Sequence, residues 1–252
     1  MSRFLRMRSL HIAMTGLLIG GCNLPIMNGM KTQDLVSLTQ STPISCQYQK
    51  SYVTNGKINQ GNWYFLRQQN RTESRDEVAR QGEIWQRDSG QHLFLTHVFF
   101  TEKAALDYTA SDLKASGRLP SWDSAWSIID PSMLEKELRL VDKATDNSGL
   151  VQETYRGKVN GINTEVQWLP GLKLPSSISH PDSSDKQSLR LVNCWPINKA
   201  TIQPTTDSTL SAYRHIDYSD LGDMETDPLV QKIVALSGGH SHGASEEPHE
   251  IH

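Results

Sequence analysis

Residues 48–66 decide the fold, and they read YQKSYVTNGKINQGNWYFL. Aromatic and β-branched residues stand on both sides of Asn55-Gly56, and this dipeptide favours a tight turn between two antiparallel strands. The same strand character returns at seven later places, mostly with turn residues between them. The sequence therefore predicts about nine strands in a mainly antiparallel sheet. The later strand segments are 71–75, 83–87, 91–100, 150–156, 162–168, 172–178 and 189–195.

Short helices are expected in the middle of the chain. Ser111 and Gly117 are typical of the start and the end of a helical turn, and Asp130-Pro131 combines a capping side chain with a first-turn proline. Trp122 and Trp126 are four residues apart, so on a helix they share a face. These signals interrupt the strands without replacing them, which predicts an α+β fold that is mainly antiparallel β.

The first 22 residues have the features of an export signal. Arginines precede an apolar run from Leu10 to Ile19, and small residues then lead to Cys22. The segment is too short to serve as a membrane-spanning helix. It resembles the signal of bacterial lipoproteins, which implies that residues 1–21 are removed and that Cys22 carries fatty acyl chains. Asn23 rather than aspartate follows, which in that family implies the outer membrane, with the domain on the periplasmic face. An uncleaved signal anchor is the alternative.

The charge of the mature chain limits its partners. Removal of residues 1–21 takes away three arginines and no acids, so the formal net charge changes from −3 to −6. A nucleic-acid partner is therefore not expected. No later segment approaches the length and apolarity of a membrane span. The lipid on Cys22 is thus the expected contact with the membrane.

The composition divides the mature chain into four parts. Residues 22–43 are mostly polar and lack aromatic residues, which is typical of a flexible tether. Residues 44–197 contain the predicted sheet. Residues 198–237 are expected to form a polar linker and a C-terminal helix that Asp227-Pro228 starts. Residues 238–252 are predicted to be a flexible, histidine-rich tail.

The cysteines agree with an oxidising compartment. If Cys22 takes the lipid, Cys46 and Cys194 remain as an even pair, and each stands in a strand-like run. In the periplasm such a pair favours a disulfide. Two buried thiols or a metal pair are the alternatives.

Two motifs stand at residues 61–73 (GNWYFLRQQNRTE) and 82–88 (GEIWQRD). They resemble the opening strands of the Lol-type lipoprotein carriers and receptors, in which an aromatic strand enters a basic-Pro-Asn-Arg corner and a glycine-to-tryptophan strand follows. Gln69 stands where that family usually has proline. The resemblance covers the second half of the domain only by the order of elements. It implies an incomplete, half β-barrel with short helices packed in or on its concave face, and an apolar cavity that holds acyl chains.

A half-barrel with helices on one face would enclose an apolar space, and aromatic side chains are the candidates to line it. Ordinary core packing is the alternative for each of them, because aromatic residues are common in protein cores. The candidate lining residues are Trp63, Phe65, Trp85, Phe94, Trp122, Trp126 and Trp168.

The tail offers the second functional signal. Four histidines stand among three glutamates there, a ligand set suited to zinc, nickel or copper. A solvated tail without metal is the alternative. The candidate metal ligands are His240, His242, His249 and His252.

The stretch Gly239–Gly243 also matches the serine hydrolase nucleophile elbow around Ser241. A predicted helix rather than a strand precedes it, and too few residues follow to supply an acid and a histidine. We therefore expect no enzymatic activity and no required cofactor. The leading hypothesis is an outer-membrane lipoprotein that binds a hydrophobic or acyl ligand, or a partner protein. The alternative hypothesis is a periplasmic lipoprotein that binds a transition metal through its tail.

Overall fold

The computed structural model describes residues 35–54, 56–182 and 187–237. The predicted export signal, Cys22 and the histidine-rich tail lie outside these residues. Twelve strands form a single sheet. They are β1 (Ile44–Thr54), β2 (Lys57–Gln68), β3 (Arg71–Asp76), β4 (Gln81–Arg87), β5 (Leu93–Phe99), β6 (Ala104–Tyr108), β7 (Leu138–Thr145), β8 (Val151–Val159), β9 (Ile162–Leu169), β10 (Leu174–Ser179), β11 (Ser188–Pro196) and β12 (Arg214–Asp217).

The strand order is β12-β6-β5-β4-β3-β2-β1-β11-β10-β9-β8-β7, and the two edge strands do not pair, so the sheet is open. It consists of two antiparallel meanders, β1–β6 and β7–β11, which are joined where β1 pairs with β11. Only β12 is parallel to its neighbour, β6. The hairpin predicted around Asn55-Gly56 is confirmed, because Thr54 pairs with Lys57 across a two-residue turn.

The predicted disulfide is also confirmed. Cys46 of β1 and Cys194 of β11 are direct partners in the register, and their sulfurs are bonded. The covalent link therefore lies at the junction between the two meanders.

Short helices follow the first meander and end the described chain. The predicted caps at Asp130 and Asp227 are confirmed, since each carboxylate accepts hydrogen bonds from the first turn of its helix. Thr109 rather than Ser111 caps the first helix, because it forms a capping box with Asp112. Among the described residues, no helix has the length and apolarity needed to cross a bilayer. The helices are α1 (Ala110–Ala115), α2 (Trp122–Ser127), α3 (Pro131–Lys136), α4 (Asp207–Leu210) and α5 (Pro228–Leu236).

The sheet has three strands more than the sequence predicted. In β6, the alanines at 104 and 105 give no β signal, although both are fully buried. Strand β7 begins at Leu138, soon after the helix that Asp130-Pro131 starts, and no turn residue separates the two. Strand β12 has only four residues and lies in the region predicted to be a linker.

One face of the sheet, which we call the helix face, is packed against α1, α2, α3 and α5. The register places Phe65, Trp85 and Leu106 on this face. Leu113 of α1 and Val230 of α5 belong to the same buried cluster as Leu106. Leu134 of α3 packs with Val166 of β9, and Ile128 after α2 packs against a third cluster around Phe65.

The opposite face is crossed by residues 197–213, which we call the strap. The strap runs from the end of β11 across β1 and β3 and delivers β12 to the side of β6. Ser45 donates its hydroxyl to the Ile202 carbonyl at 3.0 Å. The region predicted to be a polar linker is therefore part of the fold. The tether predicted at residues 22–43 includes part of the folded domain, since Leu35 and Leu38 are buried in the core beside β1.

Candidate functional site

A large cavity on the helix face lies between β6, α1, α5 and the 3-10 turn Tyr218–Asp220. Its volume is about 540 Å³, which is within the range of small-molecule sites. Aliphatic side chains of β6 and α5 form much of the wall. The lining residues are Leu106, Tyr108, Asp112, Arg118, Tyr218, Ser219, Leu221, Gly222, Glu225, Val230, Gln231, Val234 and Ser237.

Tyr108 and Arg118 give this cavity its polar anchor. The Tyr108 ring stacks on Tyr218 with 4.6 Å between ring centres. Its hydroxyl accepts a hydrogen bond of 3.0 Å from an Arg118 guanidinium nitrogen. Burial raises the pKa of Tyr108 above its ordinary value, so the phenol stays neutral near pH 7 and can accept this bond. A mainly apolar wall with one converging polar group is typical of a site for an amphipathic ligand.

A smaller cavity of about 180 Å³ lies over β2–β4 and under the segment that contains α2. Three of the predicted aromatic residues, Trp63, Phe65 and Trp85, line it. The Trp63 and Phe65 rings are stacked 6.1 Å apart. These three residues therefore lie together on the helix face, beside a cavity that polar side chains such as Thr72, Ser74 and Glu83 also line.

The two tryptophans of α2 lie beside this cavity without lining it. Their ring centres are 5.5 Å apart, so Trp122 and Trp126 do share a face. Each is covered by an arginine of the sheet, with Arg87 4.7 Å from the Trp122 ring and Arg67 4.9 Å from the Trp126 ring. Such cation–π contacts help to hold α2 on the sheet.

The remaining two predicted lining residues lie elsewhere. Trp168 is 5% exposed and packs in the core under α3. Phe94 needs correction, because it points to the face opposite Leu93 and Leu95 and is 38% exposed. The sequence alone does not determine the strand register. A shift of one residue moves a side chain to the other face of the sheet.

A buried arginine fixes the position of α2. Arg67 is 0% exposed, and one guanidinium nitrogen donates to the Leu172 carbonyl at 2.9 Å and to the Trp126 carbonyl at 3.4 Å. Burial lowers the pKa of Arg67 to about 10, so it is still a cation at neutral pH. Ile128, directly after α2, has φ 70°, which a β-branched residue rarely adopts. The surrounding contacts must therefore impose this conformation.

Sequence reasoning missed the residues of the large cavity because most of them follow residue 198. One signal was present. Leu229, Val230, Ile233 and Val234 repeat with helical spacing on α5 and could have indicated a helix packed against the sheet. Among the described residues, no group of three or more histidine, cysteine and acidic side chains could hold a metal ion. The predicted metal ligands His240, His242, His249 and His252 lie outside those residues.

A buried histidine on the helix face makes stability depend on pH. His97 is 8% exposed, one ring nitrogen lies 3.1 Å from the Gln81 side-chain oxygen, and Nδ1 has no hydrogen-bond partner among the described residues. Burial lowers the pKa of His97 from 6.5 to about 4, and the charge of Arg118 adds to this effect. The unfolded chain therefore takes up this proton at a higher pH than the folded chain does.

We expect His97 to cost about 2 kcal/mol of stability when the pH falls from 8 to 5. The measurement is urea unfolding of the wild type and of His97→Gln at both pH values. Other titrating groups contribute equally to the two proteins, so the difference between their pH dependences reports on His97. Identical pH dependences would contradict this assignment.

Comparisons with known proteins do not assign this chain to a family. No family model matches it, and no curated protein matches it. The solved structures that resemble it include PNGF-II in two crystal forms. Their sequence identities are 14% and 12%, they cover 74% and 76% of this chain, and the TM-scores are 0.42 and 0.43. This chain spans about a third of the length of PNGF-II, at 33% in both forms. A DUF1329 family protein from Desulfovibrio piger ATCC 29098 is also similar, with 12% identity over 71% of this chain and 95% of that chain, and a TM-score of 0.36.

Proposed function

We propose that the mature protein is a lipoprotein of the outer membrane, facing the periplasm, that binds a hydrophobic ligand without transforming it. In this proposal the open sheet is a half-barrel and the helix face is its concave side. The observation that supports binding most directly is the cavity of about 540 Å³ between β6 and α5. This cavity is a cleft that opens to solvent, and its volume and mainly apolar wall are typical of small-molecule sites.

The attachment of α5 supports a preformed site. Arg214 pairs with Asp227 at the start of this helix, and Lys232 pairs with Glu102 at 3.0 Å on its exposed side. Val230 and Ile233 are 2% and 0% exposed against the sheet. Contacts on two sides of the helix thus hold the cavity wall in place before any ligand arrives.

Filling the cavity should remove the ligand. Val234 lines the cavity and is only partly buried. The larger side chain of Val234→Trp should therefore fill part of the cavity with little disturbance of the core. The neighbouring Ala235 is exposed and does not line the cavity, which makes Ala235→Trp the matched control. Each protein is purified from membranes, extracted with organic solvent and analysed by lipid mass spectrometry. We expect a co-purifying lipid on the wild type and on Ala235→Trp, and at least tenfold less on Val234→Trp. Equal lipid on both variants, or none on the wild type, would refute the proposal.

The membrane anchor is tested separately. The lipoprotein-type signal leads to Cys22, so Cys22→Ser should abolish labelling with radioactive palmitate and release the protein from the membrane fraction. The wild type labelled in parallel is the control. Undiminished label on the variant would contradict acylation at Cys22.

A further inference from the structure

Arg118 lies at the wall between the large and the small cavity of the helix face. It lines the large cavity, and its nearest acidic partner, Glu83, lines the small one. We infer that Arg118 binds the anionic head of an amphiphile, a carboxylate or a phosphate monoester, whose apolar chain occupies the large cavity. This inference rests on the proposed function and adds the ligand's chemical class to it.

The backbone fixes Arg118 in this place. Gly117 adopts φ 66° after α1, a conformation that favours glycine. The Arg118 amide donates to the Leu113 carbonyl at 2.8 Å, and the Gly117 amide donates to the Lys114 carbonyl at 3.2 Å. These two bonds form a Schellman motif. The direction in which Arg118 leaves the helix is thus set by the end of α1 and does not depend on a ligand.

The guanidinium group has donors left for an anion. Among the described residues its hydrogen bond is the one to the Tyr108 hydroxyl, and its Cζ lies 5.2 Å from the Tyr108 ring centre. Glu83 is 3.8 Å away, beyond hydrogen-bonding distance. The other oxygen of Glu83 lies 3.3 Å from the Trp85 indole nitrogen, which donates to it. A planar guanidinium with open donors suits bidentate binding of a carboxylate or phosphate.

The other polar groups of the cavity are engaged elsewhere. Asp112 accepts from the amide and the hydroxyl of Thr109 in the capping box. The side chain of Gln231 donates to the Glu225 carbonyl, and the Ser237 hydroxyl donates to the Ile233 carbonyl. Arg118 takes no part in these bonds, and it is the cation among the described residues that line the cavity.

Three acids stand near Arg118, since Glu83 lies 3.8 Å away and Asp112 and Glu225 line the same cavity. Glu225 is exposed at the rim, where water weakens its field. Arg118 is only 28% exposed, so its field is less screened. His97 lies near enough for Arg118 to lower its pKa and is neutral at pH 7, so it does not compete for the anion.

The test compares four twelve-carbon probes of different head charge. Dodecanoate, dodecyl phosphate and dodecyltrimethylammonium below their critical micelle concentrations, and dodecanol below its solubility limit, are titrated into delipidated full-length protein, and binding is measured by calorimetry. We expect both anions to bind at least tenfold more tightly than dodecanol, because only they pair an opposite charge with the guanidinium of Arg118. A stronger effect with one anion than the other distinguishes carboxylate from phosphate recognition.

Variants assign the effect to one side chain. Arg118→Gln should remove the tenfold preference, so that the two anions and dodecanol bind to this variant with similar affinity. Arg118→Lys should restore part of the preference. Lys114→Gln makes the same charge change at an exposed position of α1 and should bind like the wild type.

The contrary outcomes separate this inference from the proposed function. Equal binding of all four probes, or tightest binding of the cation, would overturn the role of Arg118 and leave a hydrophobic site standing. Failure of every probe to bind, with no lipid on the protein purified from membranes, would overturn the proposed function as well.

Discussion

Replacement of Glu73 by alanine should lower the free energy of unfolding by about 3–5 kcal/mol, because it removes a buried carboxylate that pairs with two partly buried arginines. Glu73 lies on β3, on the face covered by the strap, and is 2% exposed. Its carboxylate accepts from Arg75 at 2.6 Å and from Arg71 at 3.1 Å. It also accepts from the amide of Thr205 at 2.9 Å and from the hydroxyl of the same residue at 2.6 Å.

The two arginines bind the strap as well as the glutamate. Arg71 donates to the Thr205 carbonyl at 2.8 Å, and Arg75 donates to the Gln203 carbonyl at 2.6 Å. Loss of the carboxylate would leave two cations and one backbone amide in a space with little water. The strap should then exchange its amide hydrogens faster, and β12, which it delivers to β6, should be affected next.

Two further variants test whether the loss of stability comes from the cluster around Glu73. Glu77→Ala removes an exposed acid from the same part of the chain and should change stability by less than about 1 kcal/mol. The triple variant Arg71→Met, Glu73→Leu, Arg75→Met should recover most of the loss, since apolar side chains of similar volume need no partner. Urea unfolding gives all the values. A Glu73→Ala protein within 1 kcal/mol of the wild type would show that this cluster does not fasten the strap.

Turns and helix caps, which depend on a few neighbouring residues, were predicted well from the sequence. Gly56 and Gly117 have φ 72° and 66°, and Asp130 and Asp227 cap their helices, so turns and helix starts stood where the sequence placed them. The pairing of Cys46 with Cys194 followed from there being only two cysteines besides Cys22. In each case the signal depends on a few neighbouring residues or on a count.

Features that depend on distant residues were not predicted. The segment around Glu73 has a charged pattern, and charged residues are usually exposed. Burial of Glu73 becomes favourable because Thr205 of the strap, 132 residues later, donates hydrogen bonds to its carboxylate. The large cavity combines β6 with α5 in the same way. Its key residue, Arg118, gives no signal of its own in the sequence, because a single arginine after a glycine is common on protein surfaces.

The last prediction concerns the junction between the two meanders. Reduction of the Cys46–Cys194 disulfide should lower the free energy of unfolding by up to about 5 kcal/mol in the chain-entropy account, since the bond spans 148 residues. The native structure can keep its register without the bond, because β1 and β11 pair from Ile44 to Ser51. The effect is therefore expected mainly in the unfolded chain, whose ends gain freedom when the link is cut.

The measurement is urea unfolding of the wild type and of Cys46→Ala/Cys194→Ala, each with and without a reductant. The double variant also loses two buried sulfur atoms, since both cysteines are 0% exposed, so its stability alone does not isolate the bond. The wild type should lose stability on reduction, whereas the variant should not respond to the reductant. The slowest amide hydrogens, which exchange through global unfolding, should then exchange faster throughout the sheet, because the bond acts mainly on the unfolded chain. Equal stability of the oxidised and reduced wild type would mean that strand pairing and the buried side chains around Tyr48 hold this junction without the covalent link.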